Sequence, residues 1–128
     1  MVLDSSAIVA IHLQEPGYDR LIEKLEAAET VAVGAPTLLE ATMVLTSRIR
    51  QDARPVLSAF LRHLAVEVIP FNNDHWDAAT TAFLRFGRGR HPAALNFGDC
   101  MSYAIASVAG LPLLFTGDDL SQTDIAVA

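Results

Sequence analysis

Asp4, Glu40, Asp99 and the pair Asp118 and Asp119 are the residues whose type and setting suggest chemistry. Asp4 ends the apolar start Met1-Val2-Leu3, and Asp99 follows Gly98 at the head of an apolar helical run. Glu40 interrupts the stretch Leu38-Leu39-Glu40-Ala41, while Asp118 and Asp119 come soon after Leu113 to Phe115. Singly, each has a plain structural use. Asp4 and Asp99 can cap helices, Glu40 can face solvent from an amphipathic helix, and Asp118 and Asp119 can make a turn. Drawn together, carboxylates repel and raise one another's pKa unless a cation neutralises them. All-oxygen donors favour magnesium or manganese, ions that acidify water and stabilise charge on a phosphodiester. Such a cluster would suit metal-dependent phosphodiester hydrolysis.

That chemistry needs a scaffold that brings distant carboxylates together, and short apolar runs alternating with helical patterns predict an α/β fold with a short, mainly parallel central sheet flanked by helices. Val2-Leu3 reads as a strand stopping at Asp4, with Ser5 or Ser6 capping a helix to about Leu13 before Pro16. A helix from Tyr18 to Ala28 and a strand from Thr30 to Val33 follow. Pro36 suits the first turn of a helix over about Thr37 to Arg50, and a second helix is expected from Pro55 to Leu64. Val66 to Ile69 alternates as a strand. Asn73 or Asp74 is the expected cap of the next helix, whose Trp76, Ala79, Phe83 and Phe86 form an apolar stripe read as core. After a loop over Arg88 to Asn96, Gly98-Asp99 opens a helix to Ala109 that Gly110 closes. Leu113 to Phe115 reads as a buried strand, Gly117 to Gln122 as a turn, and Ile125 to Val127 as a last edge strand. In an open parallel sheet ligands gather beyond the carboxyl ends of the strands, where Asp4 and the Asp118-Asp119 pair would fall.

The 128 residues suffice for one core, so one domain is expected. The start lacks a basic n-region and Asp4 interrupts its apolar run, which fits neither a signal peptide nor a membrane span and predicts a soluble, cytoplasmic protein. Cys100 is the only cysteine, which excludes an internal disulfide and a cysteine-rich zinc site. A net charge of -6 argues against nucleic-acid binding through a broad basic face. A hydrophobic content of 52% is high for so small a chain and predicts apolar surface that meets a partner.

The start V-L-D-S-S-A, the segment T-L-L-E-A-T, the run L-N-F-G-D-C-M-S-Y-A and the ending P-L-L-F-T-G-D-D-L-S-Q-T-D-I together resemble a VapC-type PIN domain over essentially the whole chain. The resemblance implies a PIN-like fold with Asp4, Glu40 and Asp99 at the acidic positions and Ser6 supporting the first aspartate. It leaves the fourth acid open between Asp118 and Asp119, and Leu120 stands where an aromatic residue is often found. It further implies magnesium- or manganese-dependent cleavage of RNA, a VapB-type antitoxin partner and a homodimer. On this basis Asp4 and Asp99 would position metal, with Glu40 and the fourth acid binding a second ion or orienting water.

Arg85, Arg88 and Arg90 form the one concentrated run of positive charge and are candidates for guiding RNA phosphates, against the alternatives of a solvated flexible loop or an antitoxin contact. The four histidines show no ligand spacing, and Cys100 is expected to be a small buried residue. A phospho-receiver domain would need a late lysine, whereas the only lysine is Lys24 in an early helix. No G-x-x-x-x-G-K-[ST] loop or D-x-D start is present. A housekeeping RNA-processing PIN nuclease and a catalytically silent PIN fold remain as rival readings. The segment Thr37 to Leu64, rich in Leu, Val and Ala, is the expected surface for a second copy or a partner helix.

Overall fold

The computed structural model describes residues 1–128. Four strands, β1 (Val2–Leu3), β2 (Ala32–Gly34), β3 (Glu67–Ile69) and β4 (Leu113–Leu114), form one parallel sheet in the order β3-β2-β1-β4. Its helices are α1 (Ser5–His12), α2 (Tyr18–Ala27), α3 (Ala35–Ile49), α4 (Arg54–His63), α5 (Asn73–Phe86) and α6 (Phe97–Ala109). From β1 the chain builds outward through β2 and β3 on one side, then returns to place β4 on the other. The switch point therefore lies between β1 and β4, where an open parallel sheet leaves its crevice.

Alternation along the strands divides the core into two layers, because neighbouring side chains point to opposite faces. Val2, Ala32 and Leu113 face α5 and α6, where they pack with Phe86, Tyr103 and Ile105. Leu3, Val33 and Leu114 face the other way, against Ile8 of α1, Leu45 of α3 and Leu57 of α4. Burial on both faces explains why β1, β2 and β4 are wholly apolar instead of alternating with polar residues. The edge strand β3 is mostly exposed.

Several sequence expectations shift in detail. Asp4 itself caps α1, its carboxylate accepting the Ser6 N–H, so neither Ser5 nor Ser6 is the cap. Asn72, not Asn73 or Asp74, caps α5 and completes a capping box with His75. Ile125 to Val127 forms one bridge, Val127 to Leu113, and no further strand. The expected aromatic stripe of α5 is only partly core: Phe86 is buried, but Trp76 is 67% exposed and Phe83 is 42% exposed. Helical spacing identified one apolar face of α5, of which only part is covered by the rest of the chain.

Candidate functional site

Each acidic candidate owes its position to local structure. Asp4 stands where β1 gives way to α1 and is 3% exposed. Its Oδ2 accepts the Ser6 N–H at 3.0 Å and the Ser6 hydroxyl at 2.5 Å, and its Oδ1 accepts the Ser102 hydroxyl at 2.5 Å. Ser6 Oγ in turn accepts the Thr116 N–H at 3.0 Å, which ties the ends of β1 and β4 together at the switch point. Asp99 lies in the first turn of α6 within a capping box: Asn96 Oδ1 accepts the Asp99 N–H at 2.9 Å, and Asp99 Oδ2 accepts the Asn96 N–H at 3.1 Å. Glu40 projects from α3 onto α6, so that a side chain at Gly98 would collide with its carboxylate. Gly98 is what lets the two helices bring Glu40 beside Asp99.

The electrostatics link these residues. Burial pushes the Asp99 carboxyl up to about 6; the charges of Asp4, Asp119 and Glu40 push the same way, while the Asn96 N–H opposes them. Four carboxylates from the ends of β1 and β4 and the starts of α3 and α6 thus share one field. Asp118 is not among the charges that act on Asp99. Its backbone carbonyl instead accepts the Ser121 hydroxyl at 2.6 Å, within the 3₁₀ turn region that positions Asp119. No three carboxylate, imidazole or thiol groups stand close enough to make a coordination shell as arranged. The all-oxygen character of the carboxylates suits a hard divalent cation.

Beside Glu40 opens a polar cleft of about 290 Å³ lined in part by Ser5, Ser6, Glu15 and Thr116. Two larger hollows, about 480 Å³ and 580 Å³, are apolar and meet at Phe97 and Met101. Glu40 lines both the polar cleft and the larger of the two apolar hollows.

The arginine run divides. Arg85 pairs with Asp124 at 3.0 Å, and Asp124 also accepts the Tyr103 hydroxyl at 2.6 Å, so this arginine braces the C-terminal segment. Arg88 and Arg90 are exposed and form no ion pair. Their loop is pinned, with the Arg88 N–H donating to Leu95 O and the Leu95 N–H to Phe86 O. Of the histidines, His75 is buried and its Nδ1 accepts the Asn72 N–H, a capping role. Cys100 is buried, as expected.

Sequence reasoning passed over Asn96, Thr37 and Ser102. Asn96 carried a readable signal, an Asn three residues before Asp99 at a helix start. Ser102 showed only as a lone hydroxyl in the apolar run Cys100 to Ala106.

Residues 1–126 match the PIN domain family. Ribonuclease VapC30 of Mycobacterium tuberculosis is 39% identical over 126 residues, covering 98% of this chain and 96% of that protein. Ribonuclease VapC of Mycolicibacterium smegmatis is 41% identical over 127 residues, covering 98% of each. The crystal structure of M. tuberculosis VapC20, described as a sarcin-ricin loop cleaving toxin, superposes with a TM-score of 0.75 at 17% identity, covering 99% of this chain and 97% of that one. Full-length matches of this kind agree with a parallel sheet whose acids gather at the switch point, and the chain belongs to the PIN domain family, among its VapC ribonucleases.

Proposed function

We propose that the acidic end of the sheet hydrolyses RNA phosphodiesters with the help of magnesium or manganese. The observation that carries this reading is that Asp99, whose carboxyl burial chiefly holds up at about 6, also feels the charges of Asp4, Asp119 and Glu40, a concentration of like charge that a divalent cation would relieve. Asp4 and Asp99, held by hydroxyl and backbone donors, would hold the ion; Glu40 and Asp119 would complete the shell or orient water. A divalent ion at such a site supplies charge neutralisation at the phosphate and acidification of water. The protein's own work is to fix the carboxylates, through Ser6 for Asp4 and Asn96 for Asp99. Arg88 and Arg90 would attract the RNA backbone towards an otherwise acidic molecule.

The chain acts, on this reading, as the toxin of a toxin-antitoxin pair in the cytoplasm, with residues 1–128 as one domain. The VapC relatives support this, as do solved neighbours that include a toxin-antitoxin complex from Klebsiella pneumoniae. No helix is long and apolar enough to cross a membrane. A VapB-type antitoxin would restrain it, and a homodimer would cover the exposed apolar face around Phe97. Induced expression should arrest growth, and sequencing of RNA 5′ ends should reveal discrete new ends. Undiminished growth together with unchanged 5′ ends would defeat the proposal.

A further inference from the structure

Thr37 and Ser102 are 1% and 0% exposed, and each carries a hydroxyl that would be costly to bury without a partner. Helical hydroxyls commonly return to their own helix, as Thr42 does to Leu38 O and Thr80 to Trp76 O. Ser102 does not. It reaches across to Asp4 Oδ1 at 2.5 Å, and its oxygen lies 3.2 Å from Thr37 Oγ1. The single Ser102 proton goes to Asp4, so Thr37 must donate to Ser102. No buried side-chain polar atom is left over.

This directed chain, Thr37 to Ser102 to Asp4, joins the three elements that carry the first three acids. Thr37 lies one turn before Glu40 on α3, Ser102 one turn after Asp99 on α6, and Asp4 at the end of β1. A carboxylate offers about four lone-pair positions. On Asp4, Ser6 takes both positions of Oδ2 and Ser102 takes one of Oδ1, so the remaining position belongs to the oxygen that Ser102 holds. We infer that Ser102, braced by Thr37, is a positioning residue that aims the free lone pair of Asp4 at a divalent cation and so sets cation affinity. The inference rests on the acidic-site reading above.

The test uses the full chain and Mn²⁺ alone, with binding followed by calorimetry and by the paramagnetic resonance of free Mn²⁺. Partners that orient a ligand typically contribute about 10–100-fold in metal affinity, so Ser102→Ala should weaken Mn²⁺ binding by about that factor. Thr37→Val keeps the shape but removes the hydroxyl and should weaken binding in the same direction, by less. Thr37→Ser keeps the hydroxyl but removes a buried methyl; it should lower the melting temperature and leave Mn²⁺ affinity near the parent value. A purely structural role would make affinity follow stability instead. Equal affinity in Ser102→Ala and parent, or equal losses in Thr37→Val and Thr37→Ser, would overturn the inference. Should Ser102→Ala not fold, the Thr37 pair decides alone. A parent that binds no Mn²⁺, or binds it no better than Asp99→Asn does, would overturn the acidic-site reading itself and this inference with it.

Discussion

Asp99 shows how one residue can serve the fold and oppose it at once. Its backbone N–H and one carboxylate oxygen close the capping box of α6, while its charge sits half-buried among three others. A carboxyl whose folded pKa is raised from 3.8 to about 6 favours the folded state most below pH 3.8, and that contribution is lost as the pH rises through 6. Asp99→Asn removes the loss. Without added metal, the melting temperature of the parent should therefore fall relative to Asp99→Asn as the pH rises from about 4 to 6.5. A constant difference across that range would mean that Asp99 ionises as it would in water. RNA cleavage by Asp99→Asn should fall by orders of magnitude at every pH, since no other group on α6 can replace it. Asp4 and Asp99 were readable in the sequence because strand ends and helix starts are local features. Ser102 and Thr37 were not, because the value of a hydroxyl in an apolar run depends on a partner 98 residues away in the one case and 65 in the other.

Two glycines mark where elements come closest, and they call for opposite outcomes. At Gly34, the junction of β2 and α3, an added Cβ would meet Ile105 Cγ1 at 2.7 Å and Cδ1 at 3.0 Å, in the buried core. Gly34→Ala should destabilise the protein by about 1–3 kcal/mol through overpacking, measured by denaturant unfolding, with the cleavage rate per folded molecule little changed. At Gly98 the added Cβ would meet only the far end of Glu40, a flexible side chain that can swing aside. Gly98→Ala should therefore cost little stability yet reduce cleavage sharply, because the displaced group is one of the acids. Unfolding that is as strongly affected at Gly98 as at Gly34 would show that Glu40 cannot move. Helical and strand periodicity gave the order of the elements and their approximate limits. They could not reveal these close approaches, because which helix lies over which is a property of the sheet order. The same limit explains Trp76 and Phe83, whose spacing marked an apolar face but not whether anything in the chain covers it.

At the scale of the whole molecule, charge and apolar surface each demand a partner. A chain of net charge -6 can hold RNA only through local attraction, and Arg88 and Arg90, neither of them in an ion pair, can provide it, Arg90 from its place over the Phe83 ring, while Arg85 is paired with Asp124. Changing both to Gln should flatten the salt dependence of RNA binding, by about 0.7 in logarithmic slope for each single-strand phosphate that is no longer neutralised. An unchanged slope would assign the pair to another surface. The apolar surface lies elsewhere, where Phe97 is 81% exposed, Trp76 67%, Met43 62% and Leu39 60%. These residues span α3, α5 and the start of α6, so the patch takes in the α3 part of the expected Thr37 to Leu64 segment and extends it onto α5 and α6, while α4 adds only Val56. Phe97 forms a ridge shared by two apolar hollows, and a ridge beside a hollow is self-complementary under a twofold axis. Trp76 flanks that ridge on α5, and Met43 on α3, one turn after Glu40, lines the other hollow. The parent should sediment as a dimer at micromolar concentration, and Trp76→Glu and Met43→Glu should each sediment as monomers. Their unfolding should stay within about 0.5 kcal/mol of a monomeric reference, as exposed substitutions generally do. A monomeric parent, or variants that dimerise as the parent does, would leave this face to some other occupant.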